Sequence, residues 1–524
     1  MKRSLVSGRR PLATRPALAS FVLAFVSFVV CFCLAGCARA PDPHTLVMII
    51  ESSPVNLDPR VGTDAQSQRI YKLIFDTLVQ KDEHFLLRPM LAESWDIPDP
   101  LTYVFHLRHG VVFHNGQPVT ARDVKWTLDS IISGKVRSVK ASTFRPVRAV
   151  EAPDDYTVVI RLSEPFAAML WNVSDGAIGI VPYGSGDGFN RAPIGSGPFR
   201  FVSQEQDKNV VIARNDAYWG ETPRLERVEF KVVPDTTTRA LELRKGSADA
   251  AINALTADMV EALRGEPNLE VVTAPGTVYT YIAPNLRDPI LKDPRVRQAL
   301  AYAIDRGPIL HYLWRDLARP ANSILPPQHW AYNAEARSYP HDPGRARQLL
   351  DQAGYPERNG VRFHLVLKTS TDETNRLLAS VLQQQLREVG IALEIRTYEF
   401  ATWYADISKG AFQLFTGLRW IGGNEDPDIF EYVFHSASFP PRRANRGFYA
   451  NPKVDALIDQ ARQQIDQDSR RANYLEVQRI LNEDLPYIHL WYLDNVLVHT
   501  RRVRNLQLNP SGNYDFLVRA ELAR

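Results

Sequence analysis

The chain has 524 residues, too many for one hydrophobic core, so two or three domains are expected. With 45% hydrophobic and 23% charged residues its composition is that of a folded soluble protein, which excludes disorder for the bulk of the chain. The formal net charge of +3 belongs to the first 36 residues, where Lys2, Arg3, Arg9, Arg10 and Arg15 meet no acid; without them the charge is −2, and nothing points to nucleic acid as a partner.

That basic segment opens the chain. Ala17 to Leu34 follows as an almost wholly apolar run, closed by Leu34-Ala35-Gly36-Cys37. A basic region, an apolar stretch and small residues before a cysteine read as a bacterial lipoprotein signal over 1–36, with lipidation at Cys37. An uncleaved membrane helix is the competing reading, because the length allows one. Cys31, Cys33 and Cys37 are the three cysteines of the chain, so the processed protein keeps one, its thiol taken up by lipid. No disulfide and no thiol chemistry follow from that. No later segment is apolar enough to cross a bilayer, so acyl chains on Cys37 are expected to tether a soluble body to a membrane, periplasmic or on the cell surface.

Thr45 to Ile50 reads as a buried strand, followed by the polar loop Glu51 to Pro59. Ile70, Leu73, Ile74 and Leu78 have helical spacing within 68–79. Tyr103 to Arg108 alternates like a strand and turns at His109-Gly110 to return as Val111 to His114, a hairpin or meander. Thr120 with Asp123 forms a capping-box-like helix start. Gly195-Ser196-Gly197-Pro198 is too Gly-rich to start a helix and reads as a crossover between domains. Asp293-Pro294, Asp342-Pro343 and Asn451-Pro452 are three N-cap and N1-proline pairs. Leu377, Leu378, Val381, Leu382, Leu386 and Val389 form one helix face stopped by Gly390, and Ile391 to Ile395 then alternates as a strand. Strand and helix alternate, so mixed sheets flanked by helices are expected, an α/β fold.

Several of these stretches share an order with a known family. Pro89 to Trp95, Tyr103 to Gly116, Thr120 to Val124, Gly195 to Phe199, Asn215 to Gly220, Asp293 to Asp305, Ala346 to Tyr355, and Asn451-Pro452 through Asp484 to Ile488 resemble the extracellular solute-binding proteins of family 5. These are the dipeptide- and oligopeptide-binding proteins of ABC importers. The resemblance implies a periplasmic-binding-protein-like fold of two lobes with an extra inserted domain and a ligand cleft at the hinge. It implies domain I from 37–72, 194–280 and 490–524, domain II from 73–193, and domain III from 281–489. The partners it implies are a peptide or other small solute and the transmembrane subunits of an ABC permease. A monomer without cofactor or metal is expected.

Chemistry-bearing residues were sought with that in view. No G-x-S-x-G, G-x-x-x-x-G-K-[ST] or H-E-x-x-H occurs, and no enzymatic role is expected. His106, His109 and His114 cluster around the hairpin, but alternation along a strand separates their faces, so packed or solvated rings are expected rather than a metal site. Glu425, Asp426 and Asp428 are adjacent loop acids without the opposed placement a glycosidase needs. A binding cleft asks only for aromatic walls and a few fixed polar groups. In the resembling peptide binders a Trp, and an Asp three residues later, contact the peptide N-terminus, the Asp pairing with the ammonium. Trp420 stands at the Trp position, and the Asp position falls on Gly423. Either Glu425 or Asp426 reaches in from the same turn, or the ligand lacks a free amine: a nickel chelate, an opine or an oligosaccharide. The acids also fit a simpler role, capping a helix that begins near Ile429. The same comparison marks Phe400, Tyr279, Tyr281 and Asn285 as further wall candidates, with Lys368, Arg419, Ser52 and Ser53 as weaker ones.

Overall fold

The computed structural model describes residues 42–174, 178–420 and 425–523. Cys37 with the signal segment, and Gly423, lie outside the described residues. By their contacts Pro43–Arg524 form a single unit.

The strand Thr45–Ile50 buries every residue but Val47, as a strand in the interior of a sheet must. It lies parallel to Arg227–Val232 on one side and to Ala250–Ile252 on the other. Among the described residues eleven strands make one mixed sheet. Its order is Ile391–Tyr398, Phe363–Ser370, Leu414–Trp420, Leu269–Pro284, Ile488–Thr500, Ala250–Ile252, Thr45–Ile50, Arg227–Val232, Asn209–Arg214 and Phe199–Glu205, with Ala318–Pro320 also paired to Ile488–Thr500.

Two central strands are much longer than their neighbours: Leu269–Pro284 with 16 residues and Ile488–Thr500 with 13. They pair antiparallel, and their register slips between Ala274 and Val278 and again between Thr280 and Tyr281. The first slip contains Pro275, which has no N–H for the ladder, and Gly276, where a Cβ would stand 2.3 Å from the Leu493 carbonyl oxygen. On one side of this slip the sheet is built from strands within 45–252, on the other from strands within 363–420. The pair therefore joins two halves of the sheet.

A second, antiparallel sheet runs Ala92–Asp99, Thr102–Leu107, Thr157–Leu162, Val147–Asp154. The helix Ala121–Ile132 packs on it, burying Val124 and Leu128 against Tyr103, Phe105 and Ile160. Its start is held as expected, the Asp123 carboxylate accepting from the Thr120 N–H at 2.8 Å. Here the structure corrects the hairpin reading. Thr102–Leu107 pairs with Ala92–Asp99 and Thr157–Leu162, while 111–114 contributes a single bridge, Val112 to Pro118. Both ladder edges of Thr102–Leu107 are already taken, so the stretch after Gly110 has no edge to join. His106 sits 2.9 Å from Asp96, the His109 ring lies against Tyr156 at 3.8 Å, and His114 bonds the Gly197 carbonyl at 3.0 Å. No group of three His, Cys, Asp or Glu among the described residues is placed to hold a metal ion.

The three proline-led helices begin where expected, at Pro294, Pro343 and Pro452, each with the preceding Asp or Asn side chain accepting from the first turn. The helix Glu373–Arg387 buries a narrower face than its sequence implies: Leu378, Ala379, Leu382 and Leu386 are in the core, whereas Leu377 and Val381 are exposed. Gly195 and Gly197 serve a close approach. A Cβ on either would collide with the Ile74 carbonyl at the end of the helix Ala65–Ile74, at 1.9 and 2.8 Å from its oxygen. Ser196, Tyr218 and Trp219 then converge on one buried carboxylate, Asp76, at 2.9, 3.1 and 2.9 Å. Burial raises the Asp76 pKa and these three donors oppose that rise. No helix among the described residues is long and apolar enough to cross a membrane.

Candidate functional site

Trp420 is the last residue of the strand Leu414–Trp420, which puts it opposite Tyr279 in the adjoining long strand. The strand includes Gly417 and runs as far as Trp420. Gly417 itself has φ +100°, and a Cβ there would meet the Asn375 amide nitrogen at 2.8 Å, so only glycine lets this strand run past the helix Glu373–Arg387.

Around Trp420 the sheet carries a dense aromatic wall. Tyr279 and Tyr281 are fully buried and stacked at 5.4 Å, and Tyr487 stacks on Tyr281 at 4.0 Å. The Tyr279 hydroxyl is 2.5 Å from His489 Nδ1, and His489 Nε2 is 2.8 Å from Asn482 Oδ1. The Asn482 amide nitrogen donates to the Asn322 carbonyl, so its oxygen must accept from Nε2–H. Burial pulls the His489 pKa down to about 3, the ring is neutral, and bare Nδ1 accepts from Tyr279. Tyr281 is different. Its hydroxyl, the Tyr487 hydroxyl and the Trp420 indole N–H are buried near one another, and none closes a hydrogen bond of ordinary geometry. Such groups are rare in folded proteins because each loses its water for nothing.

The acids after the turn split in role. The Glu425 carboxylate is 2.8 Å from Lys81 Nζ, both side chains mostly buried, and its carbonyl oxygen is 3.1 Å from His329 Nε2. Asp426 Oδ1 accepts from the Asp428 N–H at 2.7 Å, while Oδ2 is buried without a partner. Burial pushes the Asp426 pKa up to about 6, with the Arg470 guanidinium opposing. Arg470 is itself buried, 3.9 Å from Asp426, and makes no hydrogen bond; it lies over Trp171 at 4.6 Å and Trp330 at 5.6 Å. Asp428 precedes the short helix Ile429–Phe434 as its N-cap residue but makes no side-chain cap, and instead takes Arg462 at 2.6 Å.

The other candidates fall elsewhere. Asn285 has its amide nitrogen on the Gly410 and Phe412 carbonyls, both at 3.0 Å, and its oxygen on the Arg287 N–H, so it fixes backbone. Phe400 begins the helix Phe400–Ser408, is 59% exposed, and stacks on Tyr404 at 5.8 Å. Trp403 and Phe415 separate it from Tyr281. Lys368 pairs with Asp406 at 2.6 Å, Arg419 lies over the Trp314 ring at 5.3 Å, and Ser53 accepts from the Asp207 N–H at 2.6 Å. Ser52 is exposed.

A recess of about 110 Å³ opens beside Glu425. Its walls come from Lys72 and Phe75 at the end of one helix, from Thr77 to Met90, from Ser174, and from Asn509 to Asp515. The last of these segments is pinned to a long central strand. The Asn495 amide donates to the Asn509 and Pro510 carbonyls at 3.0 and 2.9 Å, and Gly512, at φ +68°, lets the turn close on the Asn495 side chain. None of Lys72, Lys81, Asn509 and Asp515 was singled out from sequence. The only local signal was the Asn-Pro-Ser-Gly-Asn run at 509–513, a turn-rich polar stretch.

Residues 87–440 match the family model described as bacterial extracellular solute-binding proteins, family 5 middle. Over 485 residues the chain is 31% identical to the glutathione-binding protein GsiB of Pectobacterium atrosepticum, covering 90% of this chain and 93% of that protein. Two solved structures are similar in fold. NikZ of Campylobacter jejuni in complex with Ni(L-His) has a TM-score of 0.76 at 27% identity, covering 92% of this chain and all of that one (100%). The periplasmic binding protein DppA of Helicobacter pylori in complex with the peptide STSA has a TM-score of 0.73 at 28% identity, covering 92% and 98%.

Proposed function

The chain belongs to the bacterial extracellular solute-binding proteins of family 5, and from that premise we propose that it is the lipid-anchored receptor of an ABC importer, capturing a peptide-like solute by domain closure and handing it to the membrane permease. The observation that carries this reading is the composition of the recess. Lys72 and Asn509 to Asp515 belong to the proposed domain I (37–72, 194–280, 490–524), Thr77 to Met90 and Ser174 to domain II (73–193), and Glu425 to domain III (281–489). A solute held there touches all three, so it favours the arrangement that brings them together over one that does not. The Lys81–Glu425 pair links domains II and III in that arrangement. The register slips in the long central strands are the proposed hinge, and Asn495 ties the 509–515 wall to one of those strands. The relatives' names, glutathione-binding and peptide-bound, support a peptide-like solute.

Thermal shift tests the reading. Glutathione or tetrapeptides at about 100 times Kd should add about 2.7 kcal/mol to the unfolding free energy. If neither moves Tm and nickel–histidine does, a non-peptide chelate is the cargo, a second reading favoured by Gly423 and by the likeness to NikZ. Ligand recovered unchanged after incubation, by mass spectrometry, separates a receptor from an exported hydrolase. For the anchor, Cys37→Ser should release the protein from membrane fractions; continued attachment would overturn the lipoprotein reading.

A further inference from the structure

Resting on the receptor reading, we propose that the recess selects a solute carrying an ammonium and a carboxylate side by side, as a free α-amino-acid end does, with Asp515 taking the ammonium and Lys72 the carboxylate.

Three of the five charged side chains that line the recess are already engaged. Lys81 pairs with Glu425 at 2.8 Å, and Asp82 takes Arg88 at 2.7 Å. Lys72 and Asp515 line the same recess and, among the described residues, neither makes a hydrogen bond or an ion pair. Lys72 is close enough for its charge to favour the Asp515 carboxylate, yet the two do not pair, which leaves a gap of opposite charges for a third group to bridge. Asp515 is exposed and opens onto the recess. Its pKa is raised by desolvation and by the Glu425 carboxylate, with Lys72 and Lys81 opposing, and an incoming cation would favour the charged carboxylate. An isolated cation would leave Lys72 uncompensated, and an isolated anion would leave Asp515 so; a zwitterion satisfies both. The amide of Asn509 and the hydroxyl of Ser511 stand on the same wall for the rest of the molecule.

The arrangement also answers the sequence problem posed by Gly423. In this proposal the ammonium's carboxylate comes from Asp515 rather than from the position of Gly423. A simple peptide N-terminus offers the ammonium without the adjacent carboxylate. Glutathione, the solute in the name of the relatives above, offers both on its γ-glutamyl residue.

The test is calorimetric titration of the purified protein with S-methylglutathione, its N-acetyl derivative, and its γ-glutamyl α-amide. Wild type should bind the parent compound and lose about tenfold or more in affinity for each derivative, the loss expected of a charge-assisted contact. Asp515→Asn should weaken the parent by the same factor and leave the N-acetyl derivative unchanged; Lys72→Gln should do so for the amide pair. Far-ultraviolet circular dichroism and Tm on both variants keep a folding defect from counting as support. Equal binding of parent and N-acetyl compound, or an Asp515→Asn protein that keeps the wild-type ratio, overturns the proposal. Wild type that binds free-amino tetrapeptides but no glutathione compound overturns it and spares the receptor reading. Wild type that binds neither overturns both.

Discussion

Glu425 stands between two regions that handle polar atoms in opposite ways. Toward Trp420 the molecule is packed: the polar tips of Tyr281, Tyr487 and Trp420 are buried near one another without a hydrogen bond of ordinary geometry, and Asp426 and Arg470 face each other at 3.9 Å without closing to one. Toward Asp515 the walls mix apolar side chains such as Phe75, Phe85 and Met90 with charges of both signs. The first region takes its stability from aromatic area and tolerates polar defects; the second forgoes packing and keeps its charges available. A binding protein needs both, a wall that does not deform and a surface whose charges are completed only by the solute.

Mutations separate the two regimes. The largest effect is expected at Tyr281→Ala, which removes a fully buried ring stacked on two others and should cost about 3–5 kcal/mol in urea unfolding. A loss below about 1 kcal/mol would mean that the wall is loosely packed. Next comes Asp426, whose folded-state pKa stands near 6 against an ordinary value of 3.8. Between those pH values the folded state binds more protons than the unfolded one, so stability falls as pH rises from about 4 to about 6 and stays lower above that. Asp426→Asn should abolish this decline. The difference between the Tm–pH profiles of wild type and variant should correspond to about 3 kcal/mol at pH 7 and vanish below pH 4. Parallel profiles would show that Arg470 keeps the carboxylate ionised throughout. The smallest effect is expected at Tyr281→Phe, within about 0.5 kcal/mol of wild type, because the hydroxyl it removes has no hydrogen bond. A clear destabilisation would reveal a partner, water or solute, inside the wall, and would make the two regions alike.

How far the sequence carried depended on the range of the interaction. The helix starts at Pro294, Pro343 and Pro452 are decided by two or three neighbouring residues, and they fall where the residues say. Trp420 is legible because it ends a strand within a recognisable loop. The hairpin after His109 is misjudged because strand pairing depends on which edges are free, and Ala92–Asp99 and Thr157–Leu162 had taken both. Leu377 and Val381 have helical spacing but no neighbour to bury them, since amphipathic period does not say how wide the covering surface is. Asn285 is an example of role rather than place: a polar residue at a domain crossing is as useful to the backbone as to a ligand, and here both ends of its amide hold main chain. Lys72 and Asp515 were invisible for the plainest reason. They come from opposite ends of the chain, and neither has a neighbour in sequence that marks it.

The pairing of the long strands also dictates an order of assembly. Thr45–Ile50 leaves the ribosome early, yet its two partners lie at Arg227–Val232 and Ala250–Ile252, and Ala250–Ile252 in turn pairs with Leu497 to His499. The sheet can close only after nearly the whole chain is present. Contacts so distant in sequence slow folding.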